Sequence, residues 1–158
     1  MPVLLVRHAH AGKRSEWPGD DRLRPLSARG RQQAQGLASL VEGRAPQRIL
    51  SSPYTRCLQS VAPLAADLGI PVETSEILAE GTEGEAVDLV RGLAHEKVLL
   101  CSHGDVISEV LVALADEDRL DLGPRPRQAK GSVWVLEASG ERFVRATYLS
   151  PVASPQVS

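Results

Sequence analysis

The stretch Val3-Leu4-Leu5-Val6-Arg7-His8-Ala9 decides the fold, because four apolar residues are followed directly by a cation and an imidazole. So short a run of Val and Leu predicts a buried strand rather than a helix. In open α/β sheets the ligand crevice lies at the carboxyl ends of the strands. Arg7 and His8 are therefore predicted to lie where ligands bind, although a charged strand end with an incidental histidine would give the same pattern.

A second stretch repeats this pattern later in the chain. Lys97-Val98-Leu99-Leu100-Cys101-Ser102-His103-Gly104 is another apolar run that ends in a histidine. Two buried strands that each present a histidine at the same end of a sheet predict a site with two imidazoles.

Helical and strand patterns alternate along the rest of the chain. Helices are predicted at about 28–42, 53–68, 84–95 and 105–115, and strands at 47–51, 70–73, 131–137 and 142–149. Pro63 predicts a kink or a break in the second helix. The alternation predicts a three-layer α/β/α sandwich with a mainly parallel, mixed sheet. We expect a single domain at 1–150 and a flexible tail at 151–158.

Composition narrows the possible functions. The formal net charge of −2 and the pI of about 6.1 give no basic surface for nucleic acid. No apolar run approaches the ~20 residues needed to span a membrane, and no signal peptide is visible. Cys57 and Cys101 are interpreted as reduced core residues, which is typical of a cytoplasmic protein. No Cys or carboxylate adjoins the histidines, which argues against a metal site, and no GxSxG motif indicates a serine hydrolase.

Arginines at strand ends and helix starts predict a positively charged pocket around the two histidines. Its expected members are Arg7, His8, Arg24, Arg56 and His103. Such a pocket suits a phosphoryl group, which guanidinium groups bind in a bidentate manner. Neighbouring arginines lower the pKa of a histidine, so a neutral imidazole is free to attack phosphorus. Arg24 and Arg56 have an alternative interpretation as surface residues.

A carboxylic acid is then needed to protonate the leaving group. Glu80 is the first candidate, because it follows a strand on the presumed active side of the sheet. Glu83, Asp20 and Asp21 are alternatives, and any of the four can equally be a solvated loop carboxylate. Near Gly12, Lys13 and Arg14 add positive charge to a loop that either cradles an anion or forms a solvated basic turn. Lys13, Arg24 and Gly104 are predicted to bind the substrate.

Three motifs together resemble those of the histidine phosphatase superfamily, also called phosphoglycerate-mutase-like. Leu5-Val6-Arg7-His8-Ala9 resembles the RHG or RHA signature of this superfamily. The run from Ser51 to Ser60 resembles its second motif, and Ser102-His103-Gly104 resembles its third. The resemblance implies a phosphohistidine intermediate at His8, a phosphate pocket completed by Arg7, Arg56 and His103, and no metal or cofactor. Glu80 is similar to the position of the family's proton donor.

The short interval between Arg56 and His103 resembles the compact, SixA-type phosphohistidine phosphatases, and by that likeness Arg24 joins the pocket. The chain also resembles the phosphatase half of some two-domain Nudix hydrolases.

The implied function is a phosphatase acting on phosphate monoesters or phosphoramidates. A phosphohistidine-protein phosphatase, a nucleotide-directed phosphatase and a catalytically weak phosphate-binding module are the alternatives. An open, shallow pocket would favour a protein substrate. A walled pocket with extra cations would favour a small phosphate ester or a nucleotide. The oligomeric state is left open.

Overall fold

The computed structural model of the chain describes residues 2–82 and 84–151, and a single six-stranded sheet lies at its centre. The strands are β1 (Val3–Arg7), β2 (Arg48–Ser51), β3 (Val72–Thr74), β4 (Val98–Ser102), β5 (Val133–Ser139) and β6 (Arg142–Leu149). Their order across the sheet is β3-β2-β4-β1-β5-β6. The first four strands are mutually parallel, whereas β5 pairs antiparallel with β1 and β6 pairs antiparallel with β5, which confirms the predicted mixed sheet.

Four helices cover the two faces of this sheet. They are α1 (Ala28–Leu40), α2 (Thr55–Leu68), α3 (Glu85–Gly92) and α4 (Gly104–Asp118). One apolar core joins α1 and α2 to the sheet, and a second core joins α3 and α4 to the opposite face. Alternate residues of a buried strand therefore enter different cores, as Leu4 and Leu5 do. The predicted three-layer sandwich is confirmed.

The register between β1 and β4 determines where the site forms. The two strands are parallel neighbours, with Arg7 opposite Ser102. The backbone N–H of His8 donates to the Ser102 carbonyl at 3.0 Å, so the pairing extends one residue beyond the strand. His8 and His103 therefore leave the sheet side by side at the same edge.

Two of the predicted elements differ from the observed ones. Helix α2 runs through Pro63 without a break, so of the predicted kink or break the break does not occur; its buried face, which includes Val61 and Leu64, holds it on the sheet. Helix α4 continues to Asp118, beyond the predicted end at 115. The Asp118 carboxylate accepts hydrogen bonds from Arg91 and from the Phe143 backbone N–H, which fixes the last turn against its neighbours.

The long segment before α1 is less irregular than predicted. It contains two short 3₁₀ turns, Arg14–Glu16 and Asp21–Leu23, and the second is capped by Asp20, which accepts from the Arg22 N–H. No helix among the described residues is long and apolar enough to cross a membrane. The predicted flexible tail spans 151–158, of which residues 152–158 lie outside the described part of the chain.

Candidate active site

Two buried imidazoles meet at the carboxyl edge of β1 and β4. The ring centroids of His8 and His103 are 5.4 Å apart, with an angle of 62° between the ring planes. The two residues are 5% and 1% exposed. The structure thus brings together the two histidines that the sequence placed at matching strand ends.

Hydrogen bonding fixes the proton of His8 on one ring nitrogen. Its Nδ1 lies 2.8 Å from the Ala9 carbonyl oxygen, which only accepts, so Nδ1 is the donor and Nε2 keeps its lone pair. Burial lowers the pKa of His8 from 6.5 to about 3, and the charges of His103, Arg56 and Arg7 act in the same direction. His8 is therefore an uncharged base with a free Nε2 at neutral pH.

His103 is oriented by a serine that sequence reasoning did not single out. The Ser52 hydroxyl oxygen lies 2.8 Å from His103 Nε2 and accepts a hydrogen bond from the Tyr54 N–H. With its oxygen already accepting, the hydroxyl hydrogen of Ser52 is available for Nε2, and the His103 proton then resides on Nδ1. That nitrogen lies 3.6 Å from a Glu80 carboxylate oxygen. The position of Ser52 within the second motif was the one available signal.

Arg7 is held in place by the loop that precedes β5 and by the first residue of α4. Its guanidinium donates to the Gln128 carbonyl at 2.8 Å. A Cβ atom added at Gly104 would lie 3.1 Å from the guanidinium carbon of Arg7 and 3.2 Å from one terminal nitrogen. Gly104, predicted as a substrate-binding residue, thus makes room for the Arg7 side chain.

The variant Gly104→Ala is expected to lower kcat/KM by about ten- to hundredfold, because the added methyl group displaces the Arg7 guanidinium and small misplacements in a catalytic site have effects of this size. Activity and melting temperature should be measured together. A matched control is Gly92→Ala, since a Cβ at Gly92 meets nothing within 4 Å. Full activity of the Gly104→Ala protein would show that the position of Arg7 is not critical.

Arg56 lies fully buried in the first turn of α2, and two carboxylates face it. One terminal nitrogen donates to Asp21 Oδ2 at 3.1 Å and to Glu80 Oε1 at 2.9 Å, and the other donates to the Asp21 carbonyl. The sequence had predicted a pocket of cations with an acid added from a loop. The structure instead pairs the buried guanidinium with both carboxylates directly.

Asp21 is surrounded by arginines. Its carboxylate contacts Arg24 at 2.9 Å, Arg56 at 3.1 Å and Arg14 at 3.2 Å. Partial burial would raise the pKa of Asp21, but the hydrogen bond from Arg24 and the charges of all three arginines outweigh it and hold that pKa below its ordinary value. Asp21 is therefore ionised at neutral pH.

Arg24 is buried rather than exposed, and it organises the loop that follows His8. Its guanidinium donates to the Ala11 carbonyl at 2.7 Å and to the Gly12 carbonyl at 3.3 Å, in addition to its contact with Asp21. The predicted contact of Arg24 with substrate stays a prediction, because these acceptors already occupy two of its nitrogens.

The candidate proton donors differ in their distance from the two histidines and in their exposure. Glu80 contacts Arg56 and lies near His103, and its carboxylate also accepts from Arg14 at 2.9 Å. Asp20 is an exposed cap of a 3₁₀ turn, with its side chain directed to the Arg22 N–H. Glu83 lies outside the described residues.

Further cations surround this cluster. Lys13 is exposed on the loop after His8, and Arg14 reaches across to both carboxylates. Burial and the positive charges of nearby arginines, Arg7 first among them, lower the pKa of Lys130 in the loop before β5. Lys130 was not predicted as a site residue; the N–H of the next residue, Gly131, donates to the Arg7 and His8 carbonyls. Among the described residues, no three His, Cys, Asp or Glu side chains are grouped so that they would hold a metal ion.

The model of the histidine phosphatase superfamily (branch 1) matches residues 3–91 of this chain. The match covers the strand that carries His8, the helix that carries Arg56 and the segment that carries Glu80. The chain therefore belongs to the histidine phosphatase superfamily, as its three motifs predicted.

The chain is similar to one curated relative and to several solved structures. It is 34% identical over 162 aligned positions to an 8-oxo-(d)GTP phosphatase of Mycolicibacterium smegmatis, with 94% of this chain and 48% of that protein covered. The chain thus spans about half the length of this curated relative. A protein from Agrobacterium tumefaciens assigned to the SixA phosphohistidine phosphatases superposes with a TM-score of 0.78 and 26% identity, covering 95% and 97% of the two chains. The protein histidine phosphatase SixA complexed with tungstate gives a TM-score of 0.75 at 19% identity over 100% of both chains, a likeness of fold.

Proposed function

We propose that this chain is a phosphohydrolase that cleaves phosphate monoesters or phosphoramidates through a covalent phosphohistidine on His8. The observation that carries the proposal is the uncharged, buried His8, whose Nε2 is free and whose ring is 5.4 Å from His103. Membership of the histidine phosphatase superfamily supports the same reaction class.

In the first step, the His8 Nε2 lone pair forms a bond to phosphorus while the bond from phosphorus to the leaving oxygen or nitrogen breaks. The bonding electron pair stays with the leaving atom, which takes up a proton. Charge on the three non-bridging oxygens is balanced by Arg7 and Arg56 and by the Nδ1–H of His103. Preorganised donors of this kind contribute most where water is excluded, and Arg56 and His103 are buried.

Glu80 supplies the proton to the leaving atom. In the second step, its carboxylate accepts a proton from water while the water oxygen attacks phosphorus and the electrons of the phosphorus–nitrogen bond return to His8 Nε2. Orthophosphate leaves and the starting state of both residues is restored. Glu80 is chosen over Asp21 because its carboxylate lies 3.6 Å from His103 Nδ1, whereas Asp21 contacts only arginines among the site residues. We assign Asp21 the role of positioning Arg56 and Arg14.

The variant Glu80→Gln tests this assignment through the leaving group. With an alkyl phosphate, whose alkoxide needs a proton, kcat should fall about 10²- to 10³-fold, since this is the usual contribution of a general acid. With p-nitrophenyl phosphate, whose phenolate leaves unaided, the first step should persist while the hydrolysis step slows. We therefore expect a burst of one nitrophenolate per site, followed by slow turnover, in stopped-flow absorbance.

The matched control is Asp21→Asn, which removes the other carboxylate on Arg56. This variant should lower kcat by a similar factor for the alkyl phosphate and for p-nitrophenyl phosphate. It should give no burst, because no proton transfer is lost. Equal losses on the two substrates in Glu80→Gln, without a burst, would contradict the role of Glu80 as the proton donor.

The charges around the site support a small phosphorylated substrate. The loop after His8 and the segment from Arg24 line an open cavity, and Lys13 and Arg14 add cations to it and to the neighbouring carboxylates. Extra cations were the feature expected of an enzyme for small esters or nucleotides, whereas the openness of this cavity is the feature expected of a phosphohistidine-protein phosphatase. We place the protein in the cytoplasm, which the free thiols of Cys57 and Cys101 support.

A further inference from the structure

A cavity of about 230 Å³ opens beside the phosphate pocket, between the loop after His8 and the segment that leads into α1. Its walls include Gly12, Lys13, Glu16, Trp17, Arg24 and Ser27. It is smaller than the roughly 300–1,000 Å³ of pockets for whole drug-sized ligands, so it suits a single planar ring system. None of the steps proposed above uses this cavity.

Shared residues connect the cavity to the phosphate pocket. Arg24 lines the cavity and contacts Asp21 at 2.9 Å, and Asp21 in turn contacts the buried Arg56 at 3.1 Å. The cavity wall also begins at Ala11, three residues after His8. A substituent on a phosphoryl group held by Arg56 therefore has this cavity as a neighbouring site.

Trp17 gives the cavity a fixed aromatic surface. Its indole N–H donates to the Asp20 carbonyl at 2.9 Å, and a Cβ atom at Gly19 would lie 3.3 Å from the same nitrogen. The half-buried indole is thus held by its own loop before any ligand binds. A rigid aromatic side chain at the wall of an open cavity of this size is suited to stacking on a flat heteroaromatic ring.

The charges in the cavity favour a neutral group over a second phosphate. Lys13 contributes an ammonium and Glu16 a carboxylate, so both signs are present. The charge of Arg24 is partly offset by the carboxylate of Asp21, to which its Nε donates at 2.9 Å. A group with hydrogen-bond donors and acceptors on its edge, and with no net charge, matches this set.

From these observations we infer that the cavity beside Trp17 binds the base of a purine nucleotide whose terminal phosphoryl group is transferred to His8. This inference rests on the proposed phosphatase function and names its substrate class. The similarity to an 8-oxo-(d)GTP phosphatase concerns a protein twice as long, so the assignment depends on the cavity itself.

The test compares kcat/KM for GMP and GDP, taking the faster of the two, with kcat/KM for ribose 5-phosphate. Stacking of one base predicts a preference of roughly ten- to hundredfold for the nucleotide in the unmodified protein. In Trp17→Ala this preference should fall below about threefold, mainly through a higher KM for the nucleotide, because the lost contact is made equally before and during the reaction. In Trp17→Phe, which keeps an aromatic ring, a clear preference should remain.

The matched control is Leu23→Ala. Leu23 is 61% exposed on the neighbouring 3₁₀ turn and does not line the cavity, so its loss should leave the preference unchanged. As a measurement that needs no cavity variant, GMP or GDP should quench tryptophan fluorescence of the full chain, whereas ribose 5-phosphate should not.

Separate outcomes identify which conclusion fails. Turnover of p-nitrophenyl phosphate without any preference for the nucleotide over ribose 5-phosphate would overturn the base site and leave the phosphatase function standing. A faster reaction with a phosphohistidine peptide, unaffected by Trp17→Ala, would also overturn it, in favour of a protein substrate. Absence of turnover with every phosphorylated compound would instead refute the proposed function.

Discussion

His8→Ala is expected to lower the hydrolysis of p-nitrophenyl phosphate on the order of 10⁴-fold or more, since the nucleophile of a two-step reaction has no substitute. His8 Nε2 keeps a lone pair that can attack phosphorus, because the proton of the ring is on Nδ1, which donates to the Ala9 carbonyl. His103 does not replace it, as its Nε2 is engaged with Ser52. Steady-state kinetics and circular dichroism should be recorded on the same preparations.

Trapping the intermediate makes the test more specific. After mixing with radioactive phosphate ester and quenching in alkali, which preserves phosphohistidine, label should be recovered on His8 in the unmodified protein and be absent from His8→Ala. His95→Gln is the matched control, since His95 lies at an exposed position with its ring against the Gly140 carbonyl. Label on any other side chain would refute the mechanism.

The pH dependence of the labelled fraction follows from the same residue. A pKa of about 3 keeps His8 neutral at pH 7 and still almost entirely neutral at pH 5, whereas an ordinary histidine with a pKa of 6.5 would be mostly protonated at pH 5. Formation of the phosphoenzyme should therefore not decline between pH 7 and pH 5 through protonation of the nucleophile. A decline centred near pH 6.5 would show that His8 titrates as an exposed imidazole.

Gly30→Ala is expected to have the largest effect on stability. A Cβ atom there would lie 1.9 Å from the His10 carbonyl oxygen, a backbone atom that no side-chain rotation can move. The same carbonyl accepts from the Ser27 N–H and hydroxyl, and the Ser27 hydroxyl caps α1 by accepting from the Gly30 N–H. The helix start and the loop must therefore separate, at a cost of about 3 kcal/mol.

Such a loss corresponds to a decrease in melting temperature of roughly 6–12 °C for a domain of this size. Activity should fall as well, because the loop that moves begins at His8. Gly92→Ala, at a helical position with free space, should instead be neutral or raise stability by about 0.5–1 kcal/mol. Unchanged melting of the Gly30→Ala protein would mean that α1 and the His10 loop are not packed as described.

The parts of the site that belong to strands were predictable from sequence. Leu4 to His8 and Leu99 to His103 show the same short apolar run with a histidine at its end, and parallel strands deliver such residues to one edge. Arg56 was predicted from its place at a helix start after a strand. These residues depend on periodicity and chain direction, which a sequence displays directly.

The contacts that belong to loops were not predictable to the same degree. Asp21 was an equal alternative to Asp20, and only the 3₁₀ turn decides that Asp20 is the cap while Asp21 contacts Arg56. The burial of Arg24 and the cavity at Trp17 likewise depend on how one irregular segment folds back on the His8 loop. Local conformational propensities do not determine such tertiary contacts between separate segments of the chain.

The alignment of β1 with β4 has an evolutionary consequence. The register of two paired strands can change only in steps of one residue. A change by one residue would turn each side chain of the shifted strand to the opposite face of the sheet. An insertion in either strand would thus separate the two imidazoles, while insertions in the connecting segments would leave them together. Substitutions at exposed positions of these segments that do not hold Arg7 or Arg56, such as Lys13 and Glu16, can therefore change which substrate binds, while the two histidines keep their places at the edge of the sheet.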